Sequence, residues 1–304
     1  MPFLSLCNRP CVRAAALFAL LLTCRRTFSC DSAACTCPTA SRVHCVRHGS
    51  WFIAVSDNFQ VCSLQSHAHA EQIALHCEKI RTMLVRTWHE EAKPWNPKCQ
   101  VVMHATTTGY TRAVGRGSET TLGSSLVQPS TGPVRTRRID FRTNVADYET
   151  AALPHEMCHV VLADRFRNGA PPLWFDEGVA LLYDPREKQQ LHDRDLEAGL
   201  QRGIEFPLSE LLDLQEYPSA DRWGVFYGQS AALVRMLLTR RTAKQLLTCV
   251  EQAPRGAVSM ALREEFGHQG WPALVASTEF SPTLPSTLGP DHRWSSETFS
   301  TAVE

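Results

Sequence analysis

The order of patterns along the chain predicts an α+β fold: a small mixed β-sheet lobe, then a mostly helical lobe, with one motif-bearing helix between them. Two observations carry this. Short apolar, β-prone runs cluster before residue 142, and apolar residues recur at helical spacing from residue 146 onward. The chain has 304 residues, enough for a sizeable core, and no internal repeat.

Trp51 to Val55 and Phe59 to Cys62 are two such runs, split by the turn-forming Ser56-Asp57-Asn58, and they predict a hairpin. From His67 to Glu91 the residues Ile73, Cys77, Ile80, Leu84 and Trp88 form one helical stripe, closed by Pro94 and Pro97. His67 and His69 are two apart, so they point to different sides of that helix and read as solvated first-turn residues. Cys99 to His104 reads as a buried strand. The Gly-, Ser- and Thr-rich stretch 106–133 reads as loop, with a short helix near Tyr110 and a strand near Leu126. Thr136 to Arg142 alternates, with Ile139 and Phe141 on one face of a half-buried strand.

Helices follow over Asp147–Arg165, Trp174–Tyr183, Glu187–Leu200 (stopped at Gly203), Leu208–Leu214, Tyr227–Arg240, Ala243–Gln252 and Ala257–Phe266. The domain is expected to run from residue 50 to 277. The Ser/Thr/Pro-rich, aperiodic stretch 278–304 reads as a disordered tail.

The N-terminal residues 1–29 have the pattern of an export leader. Arg9 and Arg13 precede a nine-residue apolar run, Ala14 to Leu22, too short to span a bilayer but suited to a signal segment. Leu21-Leu22-Thr23-Cys24 faintly resembles a lipoprotein cleavage box, although threonine is a poor residue before the cysteine. Residues 30–49 read as a cysteine-rich linker. The 12 cysteines suit disulfides in an exported chain, with connectivity open. Formal net charge is +0, and no basic face argues for nucleic acid. No other segment is long and apolar enough to span a membrane.

One motif carries chemistry. His155 and His159, four apart, project from the same face of a helix about one turn apart, so both imidazoles can reach one zinc ion. Glu156 stands beside the first ligand, where a general base for a metal-bound water is needed. Such a site needs a third ligand and an open position. Glu177, separated from His159 by 17 intervening residues and on the helix after the Gly169–Pro172 turn, is the candidate, with Asp176 its rival. Pro154 either kinks the helix or marks its start. Cys158, Trp174 and Phe175 read as packing residues.

The segments Leu153–Leu162 (LPHEMCHVVL) and Pro172–Ala180 (PLWFDEGVA) resemble the paired helices of the gluzincin peptidases, above all the peptidase MA-like domain proteins. The second is also similar to the W-x-x-E-G-x-A element of the aminopeptidase N family, whose glutamate binds zinc. By that resemblance the fold is zincin-like, Glu177 is the third ligand, and Tyr227, in Phe226-Tyr227-Gly228-Gln229-Ser230, stabilises the tetrahedral intermediate. The likeness covers residues 50–275. It departs in lacking a G-x-M-E-N stretch, which grips a substrate's amino terminus, so aminopeptidase specificity does not transfer. The strand Arg137–Arg142 is expected to line the cleft and offer an edge for an extended peptide. The implied function is zinc-dependent hydrolysis of a peptide or protein substrate, endo- or exopeptidase being open. The alternatives are an exported zinc-containing scaffold without turnover, or a non-peptide zinc hydrolase.

Overall fold

The apolar runs of the N-terminal half assemble into one six-stranded sheet. The computed structural model describes residues 43–252 apart from 90, 129–131, 146–147 and 167–168. The strands are β1 (His44–His48), β2 (Trp51–Val55), β3 (Phe59–Ser63), β4 (Cys99–His104), β5 (Gly123–Gln128) and β6 (Thr136–Arg142). Their spatial order is β1-β2-β3-β4-β6-β5. β1, β2 and β3 pair antiparallel, and so do β5 and β6; β3 with β4 and β4 with β6 are parallel. The sheet is therefore mixed. Parallel neighbours need a crossover, which helix α1 (His67–Trp88) provides between β3 and β4.

The strand β1 lies within the expected linker and pairs with all of β2. Its sequence, HCVRH, is mostly exposed, as a strand paired on one side can be, so it lacks the apolar alternation that marks its neighbours. Ser50, the expected start of the domain, is instead a turn residue beside Gly49, which has φ +59°.

Alternation sorts the sheet into two faces. Val101 and Met103 of β4 stand opposite Ile139 and Phe141 of β6, and all four join the core with Ile73, Cys77, Ile80 and Leu84 of α1. The stripe read from sequence is thus the buried face of α1. Ser66 caps this helix by accepting from His69 N at 3.1 Å. His69 is not simply solvated: its ring nitrogens meet Ser63 Oγ at 2.8 Å and Tyr148 Oη at 2.9 Å. On the opposite face of the sheet, Asp140 accepts from Arg138 and lies 2.7 Å from His104 Nε2. Helix α2 (Thr107–Val114) lies on that side, with Tyr110 edge-on to His104.

Beyond the sheet the chain is helical: α3 (Tyr148–Ala151), α4 (Leu153–Ala163), α5 (Leu173–Leu181), α6 (Arg186–Arg202), α7 (Leu208–Asp213), a 3-10 turn at Ala220–Arg222, α8 (Trp223–Leu238) and α9 (Ala243–Gln252). The architecture is α+β, as the order of patterns implied. The expected motif helix is divided, with the break at Ala152 and Pro154 in the first turn of α4. Proline is suited to that position because the first-turn N–H groups have no helical acceptor. Gly203 ends α6 with φ +65°, the left-handed cap its sequence suggested.

Asp164 closes α4 and ties it to the sheet. It accepts from Arg137 Nε of β6 at 3.2 Å and from Trp95 Nε1. The guanidinium groups of Arg81 and Arg137 both lie over the Trp95 ring, at 4.6 and 5.1 Å from its centroid.

The described cysteines, 45, 62, 77, 99, 158 and 249, are free thiols. Among the described residues, no helix is long and apolar enough to cross a membrane. The leader, most of the linker, the helix expected at 257–266 and the tail lie outside the described residues.

One test follows from the Asp164 anchor. Asp164→Ala leaves the Arg137 guanidinium, 7% exposed, without its carboxylate. We expect a loss of about 3 kcal/mol in urea unfolding, whereas a change below about 0.5 kcal/mol would show that the anchor contributes little.

Candidate metal centre

Helix α4 is buried from Leu153 to Leu162, although three of those residues, His155, Glu156 and His159, are polar. One turn of helix sets the two imidazoles side by side, with ring centroids 4.9 Å apart. Helix α5 packs against α4 and delivers Glu177, which has no solvent exposure. Its Oε2 lies 3.8 Å from His155 Nε2. One ligand atom from each of His155, His159 and Glu177 lies within 4.8 Å of the other two, so this buried group can hold a metal ion.

The unsatisfied atoms agree with that geometry. His155 Nε2, His159 Nε2 and Glu177 Oε2 are all buried without a hydrogen-bond partner. Each such atom costs about 1–3 kcal/mol. A cation held by all three would satisfy them together, and two imidazoles with one carboxylate are a donor set that suits zinc.

A second layer holds the ligands. Asp184 Oδ1 lies 3.1 Å from His155 Nδ1, and Lys188 Nζ lies 3.0 Å from the other Asp184 oxygen. Asp176 Oδ1 lies 3.0 Å from His159 Nδ1. Each imidazole thus has a carboxylate on one nitrogen and turns the other toward the group, an arrangement that fixes tautomer and ring orientation. Asp176, the rival third ligand, occupies the nitrogen of His159 that faces away. Tyr217 donates its phenol to Glu177 Oε1 and is edge-on to Phe226, with ring centroids 6.0 Å apart.

The electrostatics follow from this crowd of carboxylates. Burial disfavours a charged His159, but Asp176 foremost, with Glu177 and Glu156, outweighs it and pushes the imidazole up to about 10. Burial holds the Glu177 carboxyl above the usual carboxylate range despite both histidines. Asp184 is buried as well, yet Lys188 and His155 lower it to about 2.

Glu156 points elsewhere. It is 3% exposed, its Oε2 has no hydrogen-bond partner, and it lines a cleft of about 280 Å³ together with His155 and Gly123. A Cβ on Gly123 would stand 2.8 Å from Glu156 Cγ and 3.1 Å from Phe141. Only glycine lets β5 come this close to α4.

The cleft strand is therefore β5. The sequence pointed to Arg137–Arg142, but β6 is paired on both sides, with β4 and β5, and has no free edge. Arg142 N donates to Leu122 O, which makes Leu122 a hydrogen-bonded partner of β6 and turns the backbone N–H and C=O of Gly123 outward.

Tyr227 sits within the second turn of α8, 5% exposed, with its ring against His192 and Phe226. It does not line the cleft. The group brings together His155, His159 and Glu177, while Glu156 lines the cleft with His155. Cys158, Trp174 and Phe175 are core residues, as expected. Tyr217, Asp184 and Lys188 escaped the sequence reading. Only the i, i+4 spacing of Asp184 and Lys188 could have hinted at a pair. No family model and no curated protein matches the sequence.

Two outcomes check this assignment. His155→Ala, His159→Ala and Glu177→Ala should each abolish stoichiometric zinc by metal analysis, while Asp176→Ala and Asp184→Asn weaken it about 10–100-fold. Full retention by Glu177→Ala would exclude it as a ligand. Gly123→Ala should lower stability by about 1–3 kcal/mol through overpacking. Most of that loss should return in the Gly123→Ala, Glu156→Ala double variant. Additive losses would contradict the contact.

Proposed function

We propose that this protein is a zinc-dependent peptide hydrolase with a zincin-like fold, of the gluzincin, peptidase MA-like kind. One observation carries the reading. His155, His159 and Glu177 form one buried group with an unsatisfied ligand atom on each, and Glu156, with an unsatisfied oxygen of its own, lines a cleft together with His155. A site serving only to stabilise a scaffold is closed by four protein ligands and has no use for a neighbouring base.

His155, His159 and Glu177 would hold the ion. Zinc bound there supplies Lewis acidity, bringing the pKa of a water toward ~7 and polarising a carbonyl. The remaining steps belong to the chain's own groups. Glu156 accepts the proton from the attacking water and returns it to the leaving amine. Tyr217 holds the Glu177 carboxylate from its far oxygen, and Asp176 and Asp184 hold the imidazoles. An extended substrate can add to the edge of β5 that is unpaired among the described residues, where Gly123 presents its backbone beside Glu156. The oxyanion role of Tyr227 rests on the resemblance to aminopeptidase N, since the residue packs on His192 away from the cleft lining. The leader pattern of residues 1–29 extends the reading to an exported enzyme.

Glu156→Gln is the direct test. The variant should bind zinc at the wild-type stoichiometry and lose hydrolysis of a peptide mixture by about 10²–10⁴-fold. Undiminished turnover in a preparation free of other proteases would refute the mechanism.

A further inference from the structure

One face of the sheet lies away from the metal group and the cleft. Among the described helices, α1 is the one packed on β1, β2 and β3, and it does so from the core side. On the other face α2 packs against β4 and β6. Yet a row of apolar side chains crosses that outer face in register: Val46 of β1, Ile53 of β2, Cys62 of β3 and Val102 of β4. Val46 is 41% exposed at the rim, but Ile53, Cys62 and Val102 are only 4, 6 and 7% exposed. Trp51 and Val55, on the same face as Ile53, are half-buried. An apolar surface shielded at its centre and exposed at its rim has the pattern of a contact face.

The chain carries a cover of suitable size. Glu251, near the end of α9, accepts from Arg165 Nε at 3.1 Å. Arg165 follows Asp164, which accepts from Arg137 near the start of β6, and Arg137 pairs with Cys99, the first residue of β4. The chain therefore leaves α9 near the ends of the two central strands, with residues 253–304 still to come. Ala253-Pro254-Arg255-Gly256 reach at most about 14 Å when extended, and a sheet layer is about 10 Å thick. The helix expected at 257–266 comes next. It would be about 15 Å long, the width of three strands at about 4.8 Å each. Val258, Leu262 and Phe266 recur every four residues and make one apolar stripe, flanked by Ser259 and Glu265. Such a stripe needs an apolar surface to cover, and Ile53, Cys62 and Val102 span three adjacent strands.

We infer that residues 257–266 dock on the outer face of the sheet over Ile53, Cys62 and Val102, with Leu262 at the centre of the contact. The chain's own C-terminal part then supplies a third layer, and the sheet is enclosed between it and the helices of the core side.

Cys62 reports on the cover. Burial pushes its thiol up to about 11, so it reacts slowly while shielded. The full chain is treated with iodoacetamide at mildly alkaline pH, and each cysteine is followed by mass spectrometry. In the wild type Cys62 should be protected, while the exposed Cys249 reacts. Leu262→Asp, and separately Phe266→Asp, should speed alkylation of Cys62 about 10-fold or more. Cys77 and Cys158, buried in the core, should stay protected and show that the variants remain folded. If they open as well, the milder Leu262→Ala gives the reading, with a smaller rise confined to Cys62. Arg263→Asp, outside the stripe, should leave Cys62 protected. Cys62 reacting as fast as Cys249 in the wild type, or unmoved by every stripe variant, would overturn the assignment. So would exposure in Arg263→Asp equal to that in the stripe variants. Protection that fades on dilution of the wild type would place a second copy on this face and overturn it too.

Discussion

A helix buried on all sides must find partners for every polar group it carries, and α4 carries three such side chains in five residues. Most of the molecule around it can be read as the consequence. Each imidazole has two nitrogens, and water is excluded. Asp184 and Asp176 take one nitrogen from each ring. The other two nitrogens are left facing Glu177, which is itself completely buried. Burying such groups costs several kcal/mol unless they are paired or ligated. Three of the unsatisfied atoms, His155 Nε2, His159 Nε2 and Glu177 Oε2, belong to residues of one potential ligand group.

Close approach of backbones makes this possible. Helix α5 must lie near α8 to hold Glu177 in place, and Gly178 permits it: a Cβ there would stand 2.5 Å from the Ser230 carbonyl oxygen. On the other side β5 must lie against α4, and Gly123 permits that. Neither glycine has a positive φ, so the requirement is for space rather than for an unusual backbone. The two glycines flank the site in space, one beside a ligand and the other beside the base. Asp164, Trp95 and Arg137 then fix the far end of α4 to the sheet, so the helix is held along its length.

The sequence made the periodic parts legible. Helix α1 and strands β2, β3, β4 and β6 each carry an apolar face into the core, and their apolar runs, alternation or 3.6-residue spacing state it. The histidine pair was legible because its spacing matches a helical turn. Glu177 was proposed from its distance along the chain and by resemblance, and the fold places it at the pair. Other features left weaker marks. Strand β1 is an exposed edge with no apolar face to show. Strand β5, GSSLVQ, is poor in β-branched residues and was recognised only as a strand near Leu126, so the edge position fell to β6. Tyr217 stands in a short loop with no period, and its contact with Glu177 spans 40 residues, which no local pattern can announce. Pairings of that kind are settled by topology.

The balance of charge joins these observations. Four carboxylates, Glu156, Asp176, Glu177 and Asp184, surround the two imidazoles, and Lys188 touches only one of them. Four negative groups against one ammonium leave three uncompensated charges in a region largely closed to water. The imbalance already registers on His159, which holds a proton far above its ordinary range because its neighbours demand positive charge. A proton on one imidazole compensates a single charge and occupies a nitrogen needed as a ligand. A divalent cation in its place compensates two and satisfies all three orphaned ligand atoms together. One negative charge then remains among the four carboxylates, of which Glu156 is the one that lines the cleft. A metal group flanked by a carboxylate on the cleft is the arrangement that the proposed peptide hydrolysis requires of its base.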